Sequence, residues 1–186
     1  MRRWLEEARA ALDSVSTQEV AAAVGVLLRT RERGGTTFAA GNGGSATTCS
    51  HLALDFQRAV RADDGLRTRA VSLSDSVGSI TAWGNDEAFA AVFSRQLELM
   101  ARPGDCLIVV SVSGDSPNLV AAVEWARGNG VSTVGLLGRD GGVLRGRVDA
   151  AVVVRSDDYG WVESAHLVLE HVLTYAIKLP SGALGD

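Results

Sequence analysis

The 186-residue chain has no uninterrupted apolar run of the roughly 18 to 20 residues that a membrane span requires. Its start, Met1-Arg2-Arg3-Trp4, leads into charge rather than an apolar stretch, so no signal peptide is expected. Cysteine is scarce: Cys49 and Cys106 are the only two, and nothing in their spacing pairs them. These absences point to a cytoplasmic protein with free thiols. A basic surplus is also missing. The 18 Lys and Arg against 22 Asp and Glu leave a formal charge of -4, which argues against broad nucleic-acid binding. It leaves an anionic ligand open, because backbone N–H groups hold phosphate without net positive charge. No internal repeat and no low-complexity segment is present. What remains is the length of one domain and an apolar fraction of 46%, ordinary for a globular core.

The patterning alternates between strands and helices. Trp4, Leu5, Ala8, Ala11 and Leu12 recur at helical spacing, and Ser16 or Thr17 caps a second helix that stops near Gly34-Gly35. This leader, residues 1–34, packs either on a neighbouring subunit or on its own domain. Residues 35–180 then read as an αβα core. Short apolar runs at 36–40, 70–73, 106–110, 132–137 and 150–154 predict five strands; Cys106-Leu107-Ile108-Val109-Val110 has the unbroken character of a central strand buried on both faces. Ser74 or Asp75 caps a helix that Gly84-Asn85-Asp86 breaks, and Ala88–Met100 resumes helical. The segment from Arg58 to Arg69 reads as a surface loop whose arginines 58, 61, 67 and 69 form a solvated face. A long helix somewhere within 158–178 closes the core, and 181–186 form a loose tail. Strands alternating with helices imply an α/β doubly wound parallel sheet.

Two turns carry the candidate chemistry. Gly41-Asn42-Gly43-Gly44-Ser45 lies between a strand and a helix, where glycines allow close backbone approach and free helical N–H groups attract an anion. Ser45 adds a hydroxyl and a possible cap. Ser111-Val112-Ser113-Gly114-Asp115-Ser116-Pro117-Asn118 is a second strand-to-helix turn, rich in hydroxyls and with Pro117 suited to a first helical turn. In a parallel sheet both fall at strand carboxyl ends, where ligands bind. Either the serines hold a phosphate monoester or they only cap a helix and fill a turn; two such turns in one chain favour the phosphate. His51 and Asp55, four apart, share a helical face and could act as a metal or acid–base pair, or His51 is an ordinary helix histidine. His166 is read as structural, and Trp83, Trp125 and Trp161 as packing residues, with the alternative that Trp161 borders the pocket.

Gly41-Asn42-Gly43-Gly44-Ser45-Ala46, Leu73-Ser74-Asp75, Gly84-Asn85-Asp86, Phe93-Ser94-Arg95-Gln96, the 111–118 turn and His166-Leu167-Val168-Leu169-Glu170-His171 occur in this order. The set closely resembles the sugar-isomerase (SIS) domain family, and within it the phosphoheptose isomerase subgroup, over nearly the whole chain. The resemblance implies a flavodoxin-like five-stranded parallel sheet between helices, a homotetramer with sites between subunits, and zinc. It implies sugar contacts from Asn42, Gly43, Gly44, Ser45, Asn85, Asp86 and Glu163, and a phosphate site at Ser111, Val112, Ser113 and Ser116. It implies a metal position at His51, Asp55, Glu163 and His171, with Asp55 or Glu163 as base and His171 as acid. The reaction so implied converts a seven- or eight-carbon ketose phosphate to an aldose phosphate. The alternative is a non-catalytic member of the family that binds a phosphosugar or a partner such as a replication initiator.

Four positions depart from the subgroup pattern: Asp55 replaces Glu, Glu163 replaces Gln, Thr48 replaces Asp and Val112 replaces Thr. Two His and two carboxylates neutralise a divalent ion and so weaken it as a Lewis acid. Asp is also one methylene shorter, enough to move a base by about 1 Å. Glu163 and His171 are eight apart, a rise of roughly 12 Å on a straight helix. They share one ion only if their side chains converge or Glu163 lies at the frayed helix start.

Overall fold

The computed structural model describes residues 1–60, 63 and 65–180. Five strands, β1 (Thr36–Gly41), β2 (Arg69–Ser72), β3 (Cys106–Ser111), β4 (Ser132–Gly138) and β5 (Ala150–Val154), form one sheet in the order β2-β1-β3-β4-β5. All neighbouring strands are parallel. The chain steps outward from β1 to β2, then crosses back to place β3 on the other side of β1. That reversal opens a crevice at the carboxyl ends of β1 and β3, the natural ligand position of such a sheet.

Alternation along β3 builds two cores. Cys106, Ile108 and Val110 face a layer that contains α2 (Thr17–Glu32), α3 (Gly44–Arg58) and α8 (Tyr159–Lys178). Leu107 and Val109 face the opposite layer, with α5 (Ser94–Met100) and α6 (Pro117–Gly128). All five residues are fully buried, as expected of a parallel strand covered on both sides. The leader packs on its own domain. Helix α1 (Arg2–Asp13) lies against α8, and α2 lies against β5 and α8. Glu19 of α2 accepts a hydrogen bond from the Val153 N–H of β5 at 3.0 Å, and the Arg31 guanidinium donates to the Ile177 carbonyl of α8. Ser16 caps α2 by accepting from the Glu19 N–H. Cys49 and Cys106 are free and buried, each thiol held high by burial.

Several local expectations shift. Ser76, not Ser74 or Asp75, caps α4 (Val77–Asp86) by accepting from the Ser79 N–H. Helix α4 continues through Gly84-Asn85-Asp86, since an isolated glycine costs a helix only about 1 kcal/mol. Residues 89–91 form a 3-10 turn before α5. Ser45 does not cap α3: the cap position is Gly43, whose φ of 54° suits glycine, and Ser45 is buried inside the first turn. In the 58–69 segment, α3 runs through Arg58, and Val60 and Arg67 form an antiparallel bridge. Arg61 of the proposed solvated face lies outside the described residues, as does the 181–186 tail. Among the described residues no single helix is long and apolar enough to cross a membrane.

Candidate active site

The two turns meet. β1 ends at Gly41, and the chain reverses through Asn42 and Gly43 into the N-terminus of α3. β3 ends at Ser111, and the chain passes through Ser113 and Ser116 into α6, with Pro117 in its first turn. Asn42 Nδ2 donates to Asn118 Oδ1 at 3.0 Å, and Asn118 Nδ2 donates back to Asn42 Oδ1 at 2.8 Å. Asn118 Oδ1 also accepts from the Leu119 N–H at 3.0 Å. This amide pair bolts the glycine turn to the serine turn. On the other side of β1, Ser74 ties the end of β2 to the glycine turn, donating to the Gly41 carbonyl at 3.0 Å.

Between the turns lies a cavity of about 230 Å³ lined by Asn42, Ser45, Ser111, Val112, Ser113, Ser116, Tyr159 and Glu163, among others. Four serines, Tyr159 and the N-termini of α3 and α6 border it. Ser111 Oγ accepts from the Gly114 N–H at 3.0 Å and Ser113 Oγ from the Asp115 N–H at 3.2 Å, so the turn fixes both side chains while their O–H groups remain free to donate. Donated hydroxyls and unpaired helical N–H groups suit a phosphate dianion.

Glu163 forms the opposite wall. It sits in the first turns of α8, whose N-cap Asp158 accepts from the Trp161 N–H at 3.0 Å. Its carboxylate rests on the α3 N-terminus: a Cβ built on Gly44 would fall 2.5 Å from Glu163 Oε1. Gly44 is therefore required as glycine so that this carboxylate can approach. Asn85 and Asp86 do not reach the cavity within the chain. They are exposed at the end of α4, where Asn85 Nδ2 donates to Asp86 Oδ1 at 2.9 Å.

A second cluster lies further along the α3–α8 seam. His51 and Asp55 of α3 face Glu170 and His171 of α8, and one ligand-type atom from each lies within 4.8 Å of all the others. His51 Nε2 is 3.7 Å from Asp55 Oδ2, and the His51 and His171 rings meet edge-on with centroids 5.0 Å apart. Glu170 is completely buried, whereas His171 is about half exposed. Burial pushes the Glu170 carboxyl above its usual range, opposed chiefly by a hydrogen bond from Thr174. Three of the four residues expected at a metal position, His51, Asp55 and His171, are thus together. Glu163 is not with them. It stands two turns up α8, against Gly44 and the serines, because an α-helix separates residues eight apart by roughly 12 Å. Glu170, Asn118 and Ser74 lie within the quoted motifs but carry no site role there, and Tyr159 stands outside the motifs.

The SIS domain family model matches residues 3–138. The chain belongs to the SIS-domain family. Among its SIS relatives, the phosphoheptose isomerase of Trichlorobacter lovleyi is 39% identical over 168 residues, covering 90% of this chain and 85% of the relative. The structure of the phosphoheptose isomerase from Neisseria gonorrhoeae superposes with a TM-score of 0.86 at 29% identity, covering 95% of each chain. That of Francisella tularensis gives a TM-score of 0.86 at 26% identity, again covering 95% of each chain. The SIS fold expected from the motifs, and the phosphoheptose isomerase grouping within it, are both borne out.

His51, Asp55, Glu170 and His171 offer imidazole and carboxylate, donors that zinc accepts. Glu170 Oε2 is buried with no hydrogen-bond partner and faces into the group. The donor set therefore fits a divalent cation.

Proposed function

We propose that this SIS protein is a phosphosugar isomerase that interconverts sedoheptulose 7-phosphate and a heptose 7-phosphate. The observation that carries this is the placement of a free carboxylate, Glu163, on the wall of a serine-lined cavity at the β1/β3 crevice. Ser111, Ser113 and Ser116 with the α6 N-terminus hold the phosphate. Asn42 and the α3 N-terminus hold sugar hydroxyls. The phosphate anchors one end of the chain and directs the carbonyl end toward the α3–α8 seam, so binding energy at the remote group fixes the reacting carbons.

In the ketose-to-aldose direction a base removes a proton from C1 while an acid protonates the C2 carbonyl oxygen. The resulting enediol then loses the proton on O1 and gains one at C2, which leaves C1 as the aldehyde. Glu163 or Asp55 is the base and His171 the acid; both roles need hydrogen-bond reach of the reacting atoms. A divalent cation, zinc by donor type, held by His51, Asp55 and His171 supplies Lewis-acid stabilisation of charge on the sugar oxygens. Glu163 shares the cavity with the serines, so the carboxylate and the phosphate site belong to one substrate pocket. The relatives that match nearly the whole chain are phosphoheptose isomerases, which favours the enzyme over a non-catalytic phosphosugar binder.

The assembly we propose is a tetramer with sites completed between subunits. Leu54 on α3 and Leu167, Val168, Val172 and Tyr175 on α8 form an exposed apolar face beside the histidines. Asn85 and Asp86 are exposed and available to a neighbour's cavity. Two buried free thiols accord with a cytoplasmic setting. The direct test is turnover of sedoheptulose 7-phosphate in D2O. Aldose formation with deuterium entering at C2 is expected. A protein that binds the sugar phosphate yet forms no aldose is not an isomerase.

A further inference from the structure

Glu170 is an anomaly within α8. It falls on the buried stripe of that helix, with Val162, His166, Leu169, Leu173 and Ile177, and its side chain has no solvent exposure. A carboxylate in such a place is costly unless it is paired or coordinates a metal. One oxygen is satisfied: Oε1 accepts from Thr174 Oγ1 at 3.0 Å, one helical turn further on. The other, Oε2, has no hydrogen-bond partner. It points between two imidazoles, 3.9 Å from His51 Nδ1 and 3.5 Å from His171 Nε2.

We propose that Glu170 is the fourth protein ligand of the divalent cation, completing a His51–Asp55–Glu170–His171 set, with Thr174 as the residue that positions its carboxylate. This rests on the metal assigned in the functional reading, but not on the identity of the sugar. Bonds of 2.0–2.2 Å in a tetrahedral zinc site place ligand atoms roughly 3.4 Å apart. Separations of 3.5 to 3.9 Å around Glu170 Oε2 are close to that spacing, and too long for good N–H···O hydrogen bonds. The orphaned oxygen is thus placed as a ligand edge rather than as half of an ion pair. The Thr174 hydroxyl supplies the outer hydrogen bond that ligating carboxylates ordinarily carry. Two imidazoles in the set favour zinc or a similar transition metal over magnesium or calcium.

The assignment divides the three acids of the seam. Asp55 and Glu170 bind the cation and neutralise it. Glu163, two turns away against Gly44, is left free in the substrate cavity. A glutamate can stand at 163 because the ligand role has moved to 170.

The experiment is zinc titration by calorimetry on the full chain stripped with chelator, paired with the visible spectrum of the cobalt-loaded protein and thermal melts with and without metal. Wild type is expected to bind one zinc per chain and to show an intense tetrahedral cobalt spectrum. Glu170→Leu should weaken zinc by more than about 100-fold, beyond the range of an outer-shell loss. It should also raise the metal-free melting temperature, because an unpaired buried acid has gone. Glu170→Gln, which keeps shape and the Thr174 contact, guards against a packing artefact and should weaken zinc by at least about 10-fold; Thr174→Val should weaken it by about 10-fold. Glu163→Gln should bind zinc as wild type does. Wild-type zinc affinity in both Glu170 variants overturns the assignment, as does loss of zinc in Glu163→Gln or a wild type that binds no cation. A protein that binds zinc as described but does not turn over sedoheptulose 7-phosphate refutes only the functional reading.

Discussion

Asn42 and Asn118 exchange two side-chain hydrogen bonds, at 3.0 and 2.8 Å, across 76 residues of chain. The pair ties the β1–α3 turn to the β3–α6 turn, so the two anion-binding helix ends share one frame. Truncating either partner breaks both bonds, and Asn42→Ala leaves the buried Asn118 amide unsatisfied, at a cost of roughly 1–3 kcal/mol. Asn42→Ala should lower unfolding free energy by that amount and weaken phosphosugar binding as well. A double-mutant cycle with Asn118→Ala is expected to show strong coupling in stability. Additive effects would mean the turns are held by something else.

The serine cradle predicts a different signature. Ser113→Ala and Ser116→Ala each remove a hydroxyl bordering the cavity. Each should weaken sedoheptulose 7-phosphate by roughly 1–3 kcal/mol in calorimetry, the scale of a hydrogen bond to a charged group. Melting temperature should hardly move, since neither hydroxyl bonds to a distant element. Unchanged affinity in both variants removes the phosphate role from this turn.

Gly44 offers a probe that removes no functional group. Alanine there brings its Cβ to 2.5 Å from Glu163 Oε1. The flexible carboxylate yields rather than the helix, so Gly44→Ala should fold normally. Displacement of a reacting group by about 1 Å can lower turnover some 100-fold. A loss of kcat with zinc binding intact is therefore expected. Wild-type turnover would show that the position of Glu163 is not critical.

His166 sets an acid limit on stability. It is fully buried, and burial pushes its imidazole down to about 4, with the Leu137 backbone opposing. The unfolded chain binds this proton near pH 6.5, so it takes up more protons than the native state between those values. The contribution is fully present above about pH 6.5 and is lost as pH falls toward 4. A gap of about 2.5 units corresponds to roughly 3 kcal/mol. Urea unfolding at pH 7 and pH 4.5 should show this dependence in wild type and a shallower one in His166→Leu. An identical slope in the variant would assign the acid lability to other groups.

The sheet was legible because strand signals here are local. The unbroken 106–110 run and the turns at both strand ends carry period and punctuation that the fold does not override. The site was legible only where chemistry and turn coincide, at 41–45 and 111–118. Glu170 was harder to see. It stands beside His171, and sequence neighbours on a helix point about 100° apart, so adjacency in the motif is no sign of a shared ion. The available signal was its place among Val162, His166, Leu169 and Leu173, a carboxylate on an apolar stripe. Glu163 illustrates the converse. Resemblance placed it at the metal, while the rise of the helix and the open space above Gly44 carry it to the substrate cavity.

The exposed apolar face of α3 and α8 predicts assembly. Val168→Arg with Tyr175→Arg places two charges on it without touching the core. Light scattering should report a tetramer for wild type and a smaller species for the variant, with activity reduced. A wild-type monomer with full activity would reject the intersubunit site.

The assignment of the base decides the mechanism. Asp55 is near His51, in the cluster that fits a cation, whereas Glu163 lines the substrate cavity and approaches Gly44. A group that ligates a cation has its lone pairs engaged and its proton affinity lowered. Glu163 is the freer carboxylate, so Glu163→Gln should lower kcat by about 100-fold or more, the scale of general-base loss. It should do so with little change in zinc affinity or in phosphosugar binding. Asp55→Asn should also lose turnover, but together with zinc affinity. Asp55→Glu keeps a carboxylate ligand and should retain activity. The discriminating measurement is turnover with zinc saturating. If Asp55→Asn remains inactive when fully loaded while Glu163→Gln turns over normally, Asp55 carries the proton, and the carboxylate against Gly44 only binds the sugar.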